Sequence, residues 1–409
     1  MIKILYVLNA LGGGASGGIY EMIPHLPSDR YQAYAVAPAG GDESRARKLF
    51  TDVRIIPLPW WNIPDVDVVR RAAMRISERR HGITPERSIA AIKAVIREWG
   101  IDLVHTGTAL NNTGALAARA FNIPHIWHIK ESVGKANRVH FPVRDDAAMV
   151  KTFSDLSHTV IAMSDYIAEV FQAHDCPNIT VIPDGVNLAL YQKGESRDLR
   201  ARLGIPHESD TVLIGMVAGL NSTWKQHDLF IESAALAAQS DPRLKFVIVG
   251  GGAPKHARFP YDSVKRYADS IIVLAKARFP DARLTILDFV PNPPDIMRSL
   301  DILVHPCDNE PFGRIAIEAM AAGTPVIGAN AGGIAETITD DHTGLLVPPR
   351  DARAFADAML RLANDPVLRF RLGANGRTRV KNGGYSIENH VRQLELLYQT
   401  ATNSIWNMP

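Results

Sequence analysis

The chain has 409 residues, 46% hydrophobic and 22% charged, with a formal net charge of +2; this describes a globular protein with chain enough for two or three domains, and it gives no argument for a nucleic-acid partner. Only Cys176 and Cys307 occur, far apart, which excludes a disulfide framework and a cysteine zinc cluster. The opening Met-Ile-Lys-Ile-Leu-Tyr-Val-Leu reads as a strand rather than a signal peptide, and no run reaches the ~20 apolar residues of a membrane span, so a cytoplasmic location is expected.

Residues 2–9 are a strand, followed by Leu11-Gly-Gly-Gly-Ala-Ser-Gly-Gly18 and a helical stretch from Ile19. The loop spells two unrelated patterns: Gly12-x-Gly14-x-x-Gly17, a dinucleotide fingerprint, and Gly14-Ala-Ser16-Gly-Gly18, a nucleophile elbow. The fingerprint needs an acid at the end of strand two, but Pro38-Ala-Gly-Gly follows that strand (33–37) and Asp42 comes late. The elbow expects earlier strands, and Ser16 follows the very first. A third reading is that the glycines let a backbone loop approach a phosphate closely.

Residues 65–100 hold two helical stretches. Asp65-Val-Asp67 spells a metal-binding acid pair, yet it opens a basic helix, where the macrodipole favours Asp. Arg70, Arg71, Arg75, Arg79 and Arg80, interleaved with Val69 and Met74, read first as a solvated face and second as a peripheral contact with an anionic membrane. Asp102-Leu-Val-His-Thr106 is a strand, and Asn111-Asn-Thr-Gly114 opens a helix. Ile123-Pro-His-Ile-Trp-His-Ile-Lys-Glu131 sets an apolar strand before His128 and Glu131; His105 and His125 receive no assignment. Residues 159–163 and 179–182 are further strands, the second leading into Pro183-Asp-Gly-Val-Asn187 at the close of the first domain.

After a polar linker with a short helix at 190–210, residues 212–220 form a strand, and Asn221-Ser-Thr-Trp-Lys-Gln-His-Asp228 leads into a helix. A strand and glycine turn (246–252), a helix (263–277), a strand (284–290) and a helix from 294 capped by Asn292 or Asp295 follow. Asp301-Ile-Leu-Val-His305 suits a buried strand, broken by Pro311 and Gly313. A helix then starts near Arg314 and stops at Gly323 with Pro325 just beyond, and 324–328 is the next strand. Glu310 therefore lies in a loop at a helix N-terminus, and Glu318 about one turn inside the helix. The amides of Phe312, Gly313 and Arg314 would face an anion there. Residues 351–364 and 366–381 are amphipathic helices, and 387–400 is the last long helix, with Ile405-Trp406 expected to pack back on the first domain.

The run Glu310-Pro-Phe-Gly, Glu318-Ala-Met-Ala-Ala-Gly-Thr-Pro-Val-Ile, Gly332-Gly333-x-x-Glu336 and Gly344-Leu-Leu-Val-Pro-Pro resembles the Glu-x7-Glu region of retaining glycosyltransferase family 4. The resemblance covers essentially the whole chain and implies an α/β chain of GT-B fold with two facing Rossmann-like domains. An acceptor domain would span 1–190 and a nucleotide-sugar domain 200–385, with a C-terminal helix, 386–409, returning to the first. It implies a retaining enzyme that moves a sugar from a UDP-, GDP- or similar nucleotide-sugar to a glycan, lipid-linked or small-molecule acceptor. Bacterial cell-surface polysaccharide or glycoconjugate synthesis, at the inner face of the membrane and without metal or other cofactor, is the implied setting.

By the same resemblance Glu310 contacts donor sugar hydroxyls and Glu318 the ribose hydroxyls. His128 matches a strand-end His that bonds the donor sugar, and Lys225 matches a Lys facing the diphosphate. Asp288-Phe-Val290 matches the stretch that holds the nucleotide base through its backbone, and Gly12, Gly13, Gly14 and Gly17 match the glycine loop facing diphosphate and acceptor. The family's Arg beside that Lys is missing, with Gly219 or Leu220 in its place, and Arg314 is the nearest substitute. No carboxylate is placed as a nucleophile, so front-side attack within an ion pair is implied. Two rivals stand beside this reading: a nicotinamide-dependent oxidoreductase, resting on Gly12, Gly14 and Gly17, and a catalytically impaired nucleotide-sugar-binding protein, resting on the missing Arg.

Overall fold

Short apolar runs alternating with amphipathic segments build parallel sheets, because a strand buried on both faces needs helices to cover it. The computed structural model describes every residue except 13, 63–75, 81, 135–138, 140, 193–197, 207–208, 222, 251–260, 289, 291–292 and 404–409. The expectations placed on Gly13, Asp65, Asp67, Val69, Arg70, Arg71, Met74, Arg75, Ser222, Gly251, Gly252, Phe289, Asn292, Ile405 and Trp406 lie outside the described residues. The chain divides into two units: Met1–Gly185 with the chain from Ile387 onward, and Val186–Ser386.

Unit 1 holds β1 (Ile2–Val7), β2 (Tyr31–Ala37), β3 (Asp52–Ile55), β4 (Leu103–Thr106), β5 (His125–Ile129), β6 (Thr159–Ala162) and β7 (Ile179–Val181). Every pairing is parallel, in the order β3-β2-β1-β4-β5-β6-β7. Strand order reverses between β1 and β4, the place where an open parallel sheet binds ligands beyond its carboxyl ends. Local chemistry sets the helices between. Helix Pro85–Trp99 starts at Thr84, whose side chain accepts from the Arg87 amide, and ends at Gly100 in the left-handed region. The last helix, Ile387–Asn403, buries Ile387, Val391, Leu394 and Tyr398 in the same core as Ile4, Tyr6 and Ile126, so the chain's end belongs to unit 1.

Unit 2 holds β8 (Val212–Val217), β9 (Leu244–Val249), β10 (Leu284–Leu287), β11 (Ile302–His305), β12 (Val326–Ala329) and β13 (Leu345–Val347). They are again parallel, in the order β10-β9-β8-β11-β12-β13, with the reversal between β8 and β11. Phe230, Phe246, Ile302 and Val304 lie at 0–1% exposure in the core that helix His227–Ser240 covers.

Several expected boundaries move. The first helix begins at Gly14, not Ile19, so Gly14 and Gly17 are helical residues rather than loop residues. Ser16 is buried with its hydroxyl donated to the Ala10 carbonyl at 2.7 Å, which removes it as an elbow nucleophile. Asp42 accepts from the Arg45 amide at 2.9 Å as the cap of helix Glu43–Leu49, so it is not the acid of a dinucleotide site. Asp295 lies inside helix Pro293–Ser299 and pairs with Arg298 instead of capping. The linker at 190–210 carries two short helices, Leu188–Gln192 and Asp198–Arg202.

Candidate active site

In unit 2 the functional side chains collect at the reversal of strand order. Past the end of β8 the chain makes a tight turn, Thr223–Lys225, before helix His227–Ser240. Past the end of β11 it runs through Cys307 and Glu310 into helix Arg314–Ala322. β8 and β11 are hydrogen-bonded neighbours, so the two strand ends bring Lys225 to Glu310 across 85 residues of sequence. Lys225 Nζ donates to Glu310 Oε2 at 2.7 Å, and His305 Nε2 lies 2.9 Å from the same oxygen. The Lys225 ammonium also sits 3.8 Å from the Trp224 ring centroid. The Glu310 side chain is only 13% exposed. Burial alone would raise its pKa, but the Lys225 charge and the His305 hydrogen bond outweigh that and hold it well below the ordinary carboxylate range.

The Glu310 loop is held from beneath by the glycine pair of the motif. The Gly333 amide donates to the Glu310 carbonyl at 2.8 Å. A Cβ at Gly333 would meet the Pro311 carbonyl oxygen at 2.5 Å, and one at Gly332 the Glu310 carbonyl oxygen at 2.9 Å. Close approach is thus what these positions require. Helix Arg314–Ala322 begins after Gly313 (φ +92°) and stops at Gly323 (φ +83°). Among the described residues the amides of Phe312 and Gly313 meet no acceptor, the arrangement that suits an anion at a helix start. The Phe312 side chain is buried, with its ring centroid 5.8 Å from that of Tyr385, so its side chain is a packing element. One turn on, Glu318 is buried and its Oε1 lies 3.0 Å from Arg314 Nε. Arg314 is therefore engaged with the second glutamate. Val290 follows β10 by three residues.

His305 was missed by the sequence reading, and its one signal was its place as the last residue of β11. His305, Cys307 and Glu310 each offer a ligand atom, all within 4.8 Å of one another, so a metal ion could be held there. The expectation of no metal cluster had weighed cysteine spacing and not this mixed set. The Lys225 ammonium already neutralises the carboxylate at that place, and burial pushes the Cys307 thiol up to about 12, which disfavours a thiolate ligand.

In unit 1 the expected strand end at His128 is corrected. β5 continues to Ile129, which pairs with Ala162, and Lys130 stands at the carboxyl end. Lys130 Nζ donates to Asp184 Oδ1 at 2.7 Å, with side-chain exposures of 2% and 4%. His128 is buried within the strand, its ring centroid 5.5 Å from that of His105 and 6.1 Å from that of His390 on the last helix. His105 Nδ1 bonds the Tyr398 hydroxyl at 2.8 Å, and that hydroxyl meets Tyr6 Oη at 3.0 Å. His128 Nδ1 and Nε2 and His105 Nε2 are buried with no partner among the described residues. Burial, and next the Lys130 charge, hold both imidazoles well below their ordinary pKa and so neutral. At the β1 end, Gly12 takes φ +98° beside the bridge from Leu11 to Gly41.

The family model for glycosyl transferases group 1 matches residues 197–379, and that for glycosyltransferase family 4 matches residues 12–190. A D-inositol 3-phosphate glycosyltransferase of Frankia alni is 30% identical over 301 residues, covering 72% of this chain and 67% of the relative. The chain belongs to glycosyltransferase family 4. A second relative of the same description, from Stackebrandtia nassauensis, is 29% identical over 293 residues, with 67% of this chain and 62% of the relative covered. The family-4 chain thus spans less than two thirds of that relative's length. Among solved structures, Anabaena HepE, crystallised with UDP and glucose, superposes with a TM-score of 0.77 at 20% identity, covering 98% of this chain and all of HepE. The chain has the GT-B fold, and its family membership leaves the oxidoreductase reading of the glycine loop without support. Among the described residues no helix is long and apolar enough to cross a membrane.

Proposed function

We propose that this chain is a retaining glycosyltransferase that moves a sugar from a nucleoside-diphosphate sugar to a sugar-containing, lipid-linked or small-molecule acceptor. The observation that carries the reading is the partly buried Lys225–Glu310–His305 group beside the amides of Phe312 and Gly313, which meet no acceptor among the described residues. A leaving diphosphate needs positive charge and N–H donors fixed in advance, and these groups supply both without reorganisation. In this reading the donor diphosphate draws the Lys225 ammonium, Glu310 turns to the sugar hydroxyls, and His305 keeps Glu310 in place. Glu318 would accept from the ribose hydroxyls, with Arg314 orienting it. The unpartnered ring nitrogens of His128 suit a ligand hydroxyl. The UDP seen with HepE and the family's sugar chemistry make a uridine donor the first to test. Cytoplasmic bacterial glycoconjugate synthesis at a membrane face is the proposed setting.

The missing Arg near Gly219 keeps the binding-only reading in view, and turnover decides it. A thermal-shift panel of UDP-, GDP-, ADP- and TDP-sugars should give one clear responder, since a ligand at 100 times its Kd adds about 2.7 kcal/mol. With that donor, transfer should retain the anomeric configuration and survive EDTA. Binding with neither transfer nor donor hydrolysis would overturn the catalytic reading. Loss on EDTA, restored by a divalent cation, would move the chemistry to the His305, Cys307 and Glu310 ligand set.

A further inference from the structure

We propose that unit 2 carries a second anion site, separate from the Glu310 loop, that takes a phosphate-bearing ligand at the amino ends of the sheet's strands. A cavity of about 740 Å³ opens where Asp301 leads into β11 and Thr324 leads into β12. Glu310 lies beyond the other end of β11, so the strand itself separates the two places. The volume is that of a small-molecule site.

The lining is strongly basic. Among the described residues Arg200, Arg298, Arg369 and Arg377 border the cavity, against one lining acid, Asp301. Arg200 is paired with Asp301, and Arg298 with Asp295. Arg369 donates to the Ala363 carbonyl at 2.9 Å and Arg377 to the Ala322 carbonyl at 2.7 Å. Among the described residues neither of these two guanidinium groups meets a carboxylate. Arg298 adds a buried Nε–H with no acceptor among the described residues. Helix Pro366–Asn382, which supplies Arg369 and Arg377, also carries Arg371, Arg379 and Lys381 and no acidic residue.

Two guanidinium groups held by helix-end carbonyls but not by a carboxylate match the charge of a phosphate monoester, about −1.5 to −2 at neutral pH. Their planar forks also fit phosphate oxygens in pairs, which a point charge does not. The lining residue Phe370 is 78% exposed, and Val367, one turn earlier, is 76% exposed. The phosphate could therefore come from a soluble ester or from a lipid headgroup whose chains meet these side chains.

The test is pyrophosphate binding to the full chain by calorimetry, for wild type, Lys225→Ala, Arg369→Gln/Arg377→Gln and Arg369→Lys/Arg377→Lys. Binding should survive Lys225→Ala, fall roughly tenfold or more in the Gln pair as charge-assisted bonds are lost, and return only in part in the Lys pair, which restores the charge without the fork. Phenylglyoxal labelling of wild type, read by peptide mass, covers the case in which the Gln pair fails to fold: pyrophosphate should protect Arg369 and Arg377. Sedimentation with phosphatidylglycerol but not phosphatidylcholine vesicles, abolished by Phe370→Asp, assigns the phosphate to a lipid. Pyrophosphate binding without vesicle binding assigns it to a soluble ester. No binding in wild type, binding lost only in Lys225→Ala, or no protection of the two arginines would overturn the proposal.

Discussion

Replacing Lys225 by methionine tests the electrostatics of the site directly. The ammonium lies 2.7 Å from Glu310 Oε2, and the two side chains are 20% and 13% exposed. Methionine keeps the apolar stem against Trp224 and removes only the charge. What remains is a mostly buried carboxylate whose one neighbour at hydrogen-bond distance among the described residues is His305. Breaking a buried pair from one side destabilises by about 3–5 kcal/mol. The lower end applies here, because His305 still holds the carboxylate. In the wild type the Glu310 pKa is depressed, so its stabilisation is full above the ordinary carboxylate pKa of about 4.3 and is lost as pH falls below that value. In the variant burial is no longer outweighed, the pKa rises, and protonation relieves the unpaired charge as pH falls. The deficit of the variant should therefore be about 3 kcal/mol at pH 7 and shrink towards pH 4. Urea unfolding of both proteins across that range measures it. A deficit below about 1 kcal/mol, or one that does not change with pH, would refute the buried-pair account.

Glu310→Ala should mainly lower kcat, because it removes a contact to the reacting sugar, whereas Glu318→Ala should mainly weaken nucleotide binding; unchanged nucleotide affinity in Glu318→Ala would remove its ribose assignment. Gly333→Ala should push the Pro311 carbonyl, and the Glu310 loop with it, away from position 333 and cut turnover roughly 100-fold with a folded protein left behind, read as kcat beside a melting curve. Lys130→Met removes the buried ammonium that pairs with Asp184 and should destabilise by about 3–5 kcal/mol, as urea unfolding of the variant beside the wild type will show.

Much was legible in the sequence because its causes are local. Strands buried on both faces must be continuous apolar runs, and helices advertise their ends, as Gly313 and Gly323 do for Arg314–Ala322. The motif around Glu310 pointed to the family to which the chain belongs, and through that resemblance to an α/β chain of two Rossmann-like domains. Where local signals were weak the reading slipped. Five small residues from Gly14 to Gly18 looked like a loop and wind as a helix, and β5 runs one residue past His128.

Tertiary structure alone decided which distant side chains meet. Strand adjacency of β8 and β11 carries Lys225 onto Glu310, and the turn beyond β11 brings the same Glu310 oxygen back to His305 at the strand's end. The Lys130–Asp184 pair across 54 residues, and the cluster of His105, His128, Tyr6 and Tyr398 under the last helix, come from the same cause. Parallel sheets join residues far apart in the chain through crossovers of variable length. The spacing of such residues in sequence therefore says nothing of their distance in space, and their pairing exists only once the sheet order does.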